Sequence, residues 1–289
     1  MEEHIEAMGE SVKIMDKEFQ ADCENCFGLC CVALPFAASA DFAMDKDAGM
    51  PCPNLKADYR CGVHSNLRKL GFRGCTVYDC LGAGQRVSQS TFEGRDWRQS
   101  PELAKLMFEV YPIMKQLHEL LWYLKEALSL KAAQSIHADL QAAFEETRQL
   151  TQLSPEKLKA LDVPAQRARV NELLLKTSEL VRADAWRKHA GAPKKNQTYS
   201  RGADLIGAKL QKADLRCENL RGAYLIAADL RGADLRSADL IGADFRDADL
   251  SGADLTDSFF LTQAQLNAAR GSAATKVPSS LVRPGHWSV

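Results

Sequence analysis

The most regular alternation of apolar and polar positions in the chain has a period of five. From Arg201 to Phe260 the sequence divides into twelve consecutive five-residue units, each closed by an apolar residue: Leu205, Leu210, Leu215, Leu220, Leu225, Leu230, Leu235, Leu240, Phe245, Leu250, Leu255 and Phe260. Two positions before each stands a small residue, from Ala203 to Ala253 and Ser258, with Glu218 the exception. This period fits neither the 3.6 of a helix nor the 2 of a strand. A strict short repeat stacks its units on one another instead of wrapping one globular core. A square coil with one unit per side would turn the Leu and Ala positions inward.

Residues 99–190 carry a different pattern. Leu103, Met107, Val110, Met114, Leu117, Leu121, Leu124 and Leu128 recur at spacings of three and four, which predicts an amphipathic helix. Ser100, Pro101 and Glu102 supply its cap, first turn and dipole-matched charge, and Pro112 is a candidate kink. A second helical stripe holds Ile136, Leu140, Phe144 and Leu150, and Ser154-Pro155-Glu156 repeats the start signal. A third segment, 165–188, contains Val170, Leu173, Leu174, Leu180, Val181 and Trp186. The expectation is a helical hairpin or three-helix bundle. His118 and His137, and the aromatics Trp122, Tyr123 and Trp186, read as core or surface residues of that bundle. Residues 191–200 read as a linker.

Units such as Gly202-Ala203-Asp204-Leu205 and Gly232-Ala233-Asp234-Leu235 strongly resemble the pentapeptide-repeat proteins. The resemblance implies a right-handed quadrilateral β-helix over 201–266, four units per coil, with a partial fourth coil through Gln263-Ala264-Gln265-Leu266. Residues twenty apart would then share a column. The outward Ile206, Ile226 and Ile241 would serve a protein partner or self-association, and 267–289 would cap the open end.

The 37 basic and 38 acidic residues leave a net charge of −1, so no overall field draws the chain to nucleic acid or an anionic membrane. Residues 1–18 read as an acidic tail or short helix without the basic start and apolar run of a secretory signal. The most apolar early segment, Cys30 to Ala40, is too short to cross a bilayer. A cytoplasmic protein without a membrane segment is expected, and there clustered cysteines more often bind metal than pair as disulfides.

Eight of the nine cysteines lie between Cys23 and Cys80, within a loop-rich segment, 19–98, crowded with Gly and Pro. The candidate metal ligands are Cys23, Cys26, Cys30, Cys31, Cys52, Cys61, His64, Cys75 and Cys80. Cys23-x2-Cys26 is the spacing of a knuckle that offers two soft sulfurs to one ion, zinc or iron, with an Fe–S cluster possible. Cys30 and Cys31 are adjacent, so they either serve different sites or only one is a ligand. Eight thiols suffice for two four-cysteine sites, or for one cluster with a remaining pair. The run through Cys23, Cys26, Cys30-Cys31, Pro51-Cys52-Pro53, Arg60-Cys61-Gly62-Val63-His64 and Cys75 resembles a bacterial cysteine-cluster family described as zinc- or iron-chelating domains. It departs from that family where Gly71-Phe72-Arg73-Gly74 leads into Cys75. Cys217 sits in a repeat turn as a tolerated small residue.

No phosphate loop, nucleophile elbow or His-Glu-x-x-His motif accompanies these thiols, so catalytic residues are not assigned. The expected protein is a non-catalytic metal-binding scaffold or regulatory interaction protein. Two alternatives are a redox sensor or oxidoreductase built on an Fe–S cluster, and a gyrase modulator acting by DNA mimicry. The repeat is short for mimicry, and its 11 acidic residues are set against 8 basic ones.

Overall fold

A computed structural model describes residues 17–188 and 199–287. The expected N-terminal tail and the linker lie almost wholly outside those residues. The chain divides into two compact units, Met1–Lys125 with Leu140–Asn171, and Glu126–Asp139 with Glu172–Val289. This grouping places the cysteine segment together with helical residues 101–125 and 140–171.

The first unit starts with short elements: α1 (Leu29–Val32), α2 (Arg73–Thr76) and α3 (Ala83–Gln85), the last continuing as a π-helix over Arg86–Thr91. Then come α4 (Pro101–Ser129), α5 (His137–Leu150), the short α6 (Pro155–Lys159) and α7 (Val163–Lys188), of which the end of α4, the start of α5 and residues 172–188 of α7 belong to the second unit. The predicted start at Ser100-Pro101 is observed, and α4 runs on through Pro112. The apolar stripe of α4 is the centre of the core: Met107, Val110, Tyr111, Met114 and Leu117 pack with Leu29 and Val32 of α1, and with Ala83, Val87, Phe92 and Leu158. The cysteine loops are therefore held by hydrophobic burial as well as by any metal, since α1 and α3 each bury one face against α4.

In the second unit the expected right-handed quadrilateral β-helix is corrected. Among the described residues no strand or sheet forms, and the chain is helix-rich. Backbone pairing between repeat units stops at isolated single-residue parallel bridges, such as Asp204 with Tyr224, Asp214 with Asp234 and Asp239 with Phe259. The physical reason lies at the second position of each unit. That residue adopts a left-handed backbone whether it is glycine (Gly202, φ 72°; Gly222, φ 61°) or not (Lys212, φ 57°; Ala227, φ 55°; Ser237, φ 56°). A left-handed turn every five residues leaves too little extended backbone for a strand. The twenty-residue register is nevertheless kept by the bridges and by hydrogen bonds such as Leu205 N–H to Tyr224 O at 2.9 Å.

Gln263-Ala264-Gln265-Leu266 is also not a repeat unit. It opens α8 (Gln263–Ala268), because Thr262 and Gln265 form a reciprocal capping box that starts a helix there. The bridges then slip, pairing Asp249 with Arg270 and Asp254 with Lys276. Trp287 is buried, donates through Nε1 to Ala269 O at 3.0 Å, and lies so close over Gly271 that a Cβ there would meet its ring at 2.5 Å.

This unit also buries charge. Arg221 donates to Asp239 at 3.0 Å, both side chains almost fully buried. Glu126, at the end of α4, accepts from Phe260 N–H through Oε1 at 2.9 Å. Burial raises the Glu126 carboxyl to about 8, against the lowering effect of that N–H and with added repulsion from Asp239.

Candidate metal centre

Cys23 opens a single 3₁₀ turn, Cys23–Asn25, whose N-cap Asp22 accepts from the N–H groups of Glu24 and Asn25 at 3.1 and 3.3 Å. Cys26 follows it directly. Three side chains on one face of α3 and its π-helical continuation hold this turn. Gln85 accepts from Asp22 N–H at 3.2 Å and donates to Gln20 O at 2.7 Å. Ser88 accepts from Phe27 N–H at 3.0 Å, and Gln89 donates to Asn25 O at 2.9 Å.

The sulfurs of Cys26 and Cys80 sit in matching backbone cradles. Cys26 receives the N–H groups of Leu29 and Gly28, and Cys80 those of Gly84 and Gly82. Gly28 (φ 65°) and Gly82 (φ 80°) adopt the left-handed turn that follows each sulfur, and a Cβ on Gly82 would lie 1.9 Å from Glu18 O. The position of a Cβ on Gly84 is 2.7 Å from Cys26 Sγ and 3.8 Å from Cys80 Sγ, so the absence of a side chain there brings both sulfurs beside one point. Donors aimed at sulfur favour thiolate over thiol. Burial opposes them: it pushes Cys26 up to about 11 and raises Cys80. A bound cation would supply the missing compensation.

Beneath the second cradle, His118 of α4 is fully buried, its Nδ1 2.7 Å from Leu81 O. Burial lowers His118 to about 4, so the ring is neutral and, facing a carbonyl, carries its proton on Nδ1.

Cys30 and Cys31 are consecutive in α1, with their sulfurs 3.9 Å apart. Cys52 N–H donates to Cys31 O at 2.9 Å, and Leu55 bridges Cys61 across the next turn. Arg98 clamps that loop, donating to Ala57 O and Lys56 O at 2.8 and 3.0 Å and stacking over Tyr59 at 4.4 Å. Cys75, from α2, is pushed up to about 11 by burial and by the neighbouring charges of Cys31, Cys52 and Cys61. Cys61 is likewise raised by burial, against one N–H from Val63. Cys31 is held down by its side-chain contact with Cys30 and by the positive charge of Lys46. Lys46 is buried, and its ammonium donates to Val32 O, Asp47 O and Met50 O at 3.2, 3.0 and 3.0 Å. Burial lowers its own pKa, opposed by the charges of Cys52 and Cys31.

All nine cysteines are free thiols. Of the candidate set, Cys26 and Cys80 lie beside the same Gly84 and Cys30 lies beside Cys31, while His64 is exposed on the turn His64–Asn66 and Cys217 lies apart in a left-handed repeat turn. Among the described residues, no three His, Cys, Asp or Glu side chains converge closely enough to hold an ion as they stand. In chemistry the donor set suits a soft metal ion. Sequence reasoning did not single out Gln85 or Lys46, and it read His118 only as a core or surface residue, where the structure places it in the core against Leu81 O. The twin spacing Cys26-Phe27-Gly28 and Cys80-Leu81-Gly82 was a legible sign of the paired cradles, whereas Lys46 in Asp45-Lys46-Asp47 looks like solvated charge.

The fold defines a chain with a cysteine-rich helical unit and a repeat unit, and residues 219–257 match the family of pentapeptide repeats in eight copies. That match does not reach the cysteine segment. Beyond this class, the chain is 63% identical over 270 residues to the uncharacterized protein YybG of Bacillus subtilis (strain 168), covering 93% of this chain and 95% of that protein; it belongs to the same family.

Proposed function

We propose that this chain is a non-catalytic, metal-binding scaffold of the cytoplasm, in which the thiols of Cys23–Cys80 hold zinc or iron and the repeat unit offers a surface to a protein partner or a second copy. The observation that carries this reading is the pair of backbone cradles on Cys26 and Cys80, four N–H donors aimed at two sulfurs beside the same glycine. Such donors are matched to metal-bound thiolate. Free thiols throughout are compatible with a reducing compartment, and among the described residues no helix is long and apolar enough to cross a membrane. On the repeat surface Ile206 and Tyr224 are exposed, while Ile226 and Ile241 are half-buried.

The Fe–S redox reading uses the same donors and differs in the metal. DNA mimicry is less well supported, because the outward carboxylates are already matched with cations: Asp214 with Arg216, Asp229 with Arg231, Asp234 with Arg236, Asp244 with Arg246 and Asp254 with Lys276. Metal analysis and visible absorption of anaerobically purified protein test the proposal. Stoichiometric zinc in a colourless sample supports the scaffold, and a brown, absorbing sample moves the reading to the cluster. Wild-type protein without metal, and C26S/C80S protein with an unchanged melting temperature, would sink both.

A further inference from the structure

Resting on the reading that the repeat unit offers a surface to a second copy, we infer that its opening residues, 201–212, form the interface of a two-fold dimer. In it Asp204 of each chain lies opposite the partner's Lys209, and the axis passes at Ile206 and Gly207.

The backbone of the repeat is left open at this end. The fourth residue of a unit normally bonds to the unit twenty residues before it. Tyr224 N–H donates to Ala203 O and Tyr224 O accepts from Leu205 N–H, both at 2.9 Å, and Asp229 repeats this with Ala208 and Leu210 at 2.9 and 2.8 Å. Asp204 and Lys209 hold the same position in the opening units. Among the described residues, the backbone N–H and C=O of both have no hydrogen-bond partner, and both residues are exposed. The apolar positions beside them are open too: Ala203, Leu205 and Ala208 are half-buried, whereas Ala223, Leu225 and Ala228 are fully buried. Ile206, at 57% exposure, is the most exposed of the three repeat isoleucines. An edge of free backbone groups with apolar surface beside it is a template for another chain.

Two further observations make that chain a second copy. The first is geometric: the left-handed turn at Gly207 (φ 64°) stands between Asp204 and Lys209, so an extended peptide could reach one free N–H and C=O pair but not both. A chain with the same five-residue turn fits both. The far end of another repeat cannot supply it, because Asp249 and Asp254 already pair with Arg270 and Lys276. The opening units of a second copy can, running antiparallel, where opposed residues exchange both N–H and C=O. The second observation is charge. The Asp204 carboxylate accepts from Ile206 N–H at 3.2 Å, yet among the described residues it meets no cation and Lys209 meets no anion. Antiparallel pairing about Ile206 and Gly207 sets Asp204 against the partner's Lys209 twice over, and opposite charges directly across such a pair are stabilising. Ile206 meets its own counterpart at the axis and leaves water. The contact is isologous, so it closes at two copies.

Sedimentation equilibrium of the full chain at low salt, across a concentration series, is the test. Wild type should be a dimer. D204K and K209D each set like charges across the axis and should raise the dissociation constant roughly tenfold or more. An equimolar mixture of the two variants should form a dimer again, since each then offers the other the opposite charge at both pairs. Where circular dichroism shows that a charge variant has not folded, I206R decides: it sets two like charges at the axis and should also dissociate the dimer. A monomeric wild type overturns the second-copy reading and this interface with it. A dimer indifferent to the variants, or a mixture no more dimeric than its components, leaves that reading standing and overturns the interface.

Discussion

His118 donates its Nδ1 proton to the carbonyl of Leu81 at 2.7 Å, and Leu81 is the residue between Cys80 and Gly82. The contact fixes a left-handed residue (φ 50°) from the core side of α4. His118→Phe keeps the ring that packs edge-on against Phe19 at 5.9 Å but leaves the buried carbonyl without a donor. It should cost roughly 1–3 kcal/mol. Urea denaturation measures this, and an unchanged midpoint would show the bond to be idle.

Two buried groups give the two units opposite pH responses. His118 stays neutral in the fold down to about 4 while the unfolded chain protonates near 6.5. Its contribution is intact above 6.5 and is lost as pH falls from there toward 4, by about 3 kcal/mol. Glu126 stays protonated in the fold up to about 8, against 4.5 when unfolded. Its folded pKa is raised, so stability declines as pH rises from 4.5 to 8, by an amount on the order of 5 kcal/mol. Glu126→Gln should remove the alkaline decline and leave the acid one. Melting curves between pH 4 and pH 9 would show whether the two slopes separate in this way.

The buried pair Arg221–Asp239 should respond asymmetrically. Arg221→Met alone leaves an unpaired buried carboxylate and should cost about 3–5 kcal/mol. R221M/D239L, which removes both charges, should recover most of that loss. A double variant as unstable as the single one would mean that the pair contributes through geometry and not through mutual compensation.

Backbone conformation is isolated at Gly222, where φ is 61° and nothing lies within 4 Å of an added Cβ. Gly222→Val should therefore lower stability by about 1–2 kcal/mol without any clash. A neutral effect would mean that the left-handed turn is not strained for a branched residue.

These sites differ in how far the sequence announced them. The helix starts were legible because their signal is local: Ser100-Pro101-Glu102 precedes α4, and the i, i+3, i+4 stripe through Met107, Val110, Met114 and Leu117 is the face that packs. The resemblance carried by the five-residue units implied the twenty-residue register, which the bridges keep, and a β-helix, which does not form. Pairing depends on φ at the second position, which glycine shows in Gly202 and Gly222 but Lys212 and Cys217 conceal. Leu266 kept the period and so looked like a repeat side chain, while Thr262 and Gln265 diverted the chain into α8. Within the cysteine segment the sulfurs were readable one by one. Their supports were not, since Gln85, Lys46 and His118 act over separations that leave no periodic trace.

The slipped bridges at the end of the repeat have a consequence for assembly. A run of identical tiers would finish in a row of unused backbone donors and acceptors that another copy could continue, tier upon tier, into a fibre. Here the pairing partners of Asp249 and Asp254 are Arg270 and Lys276, each out of step with the twenty-residue period, and Trp287 fills the place over Gly271. The chain thus carries its own stop against unlimited growth.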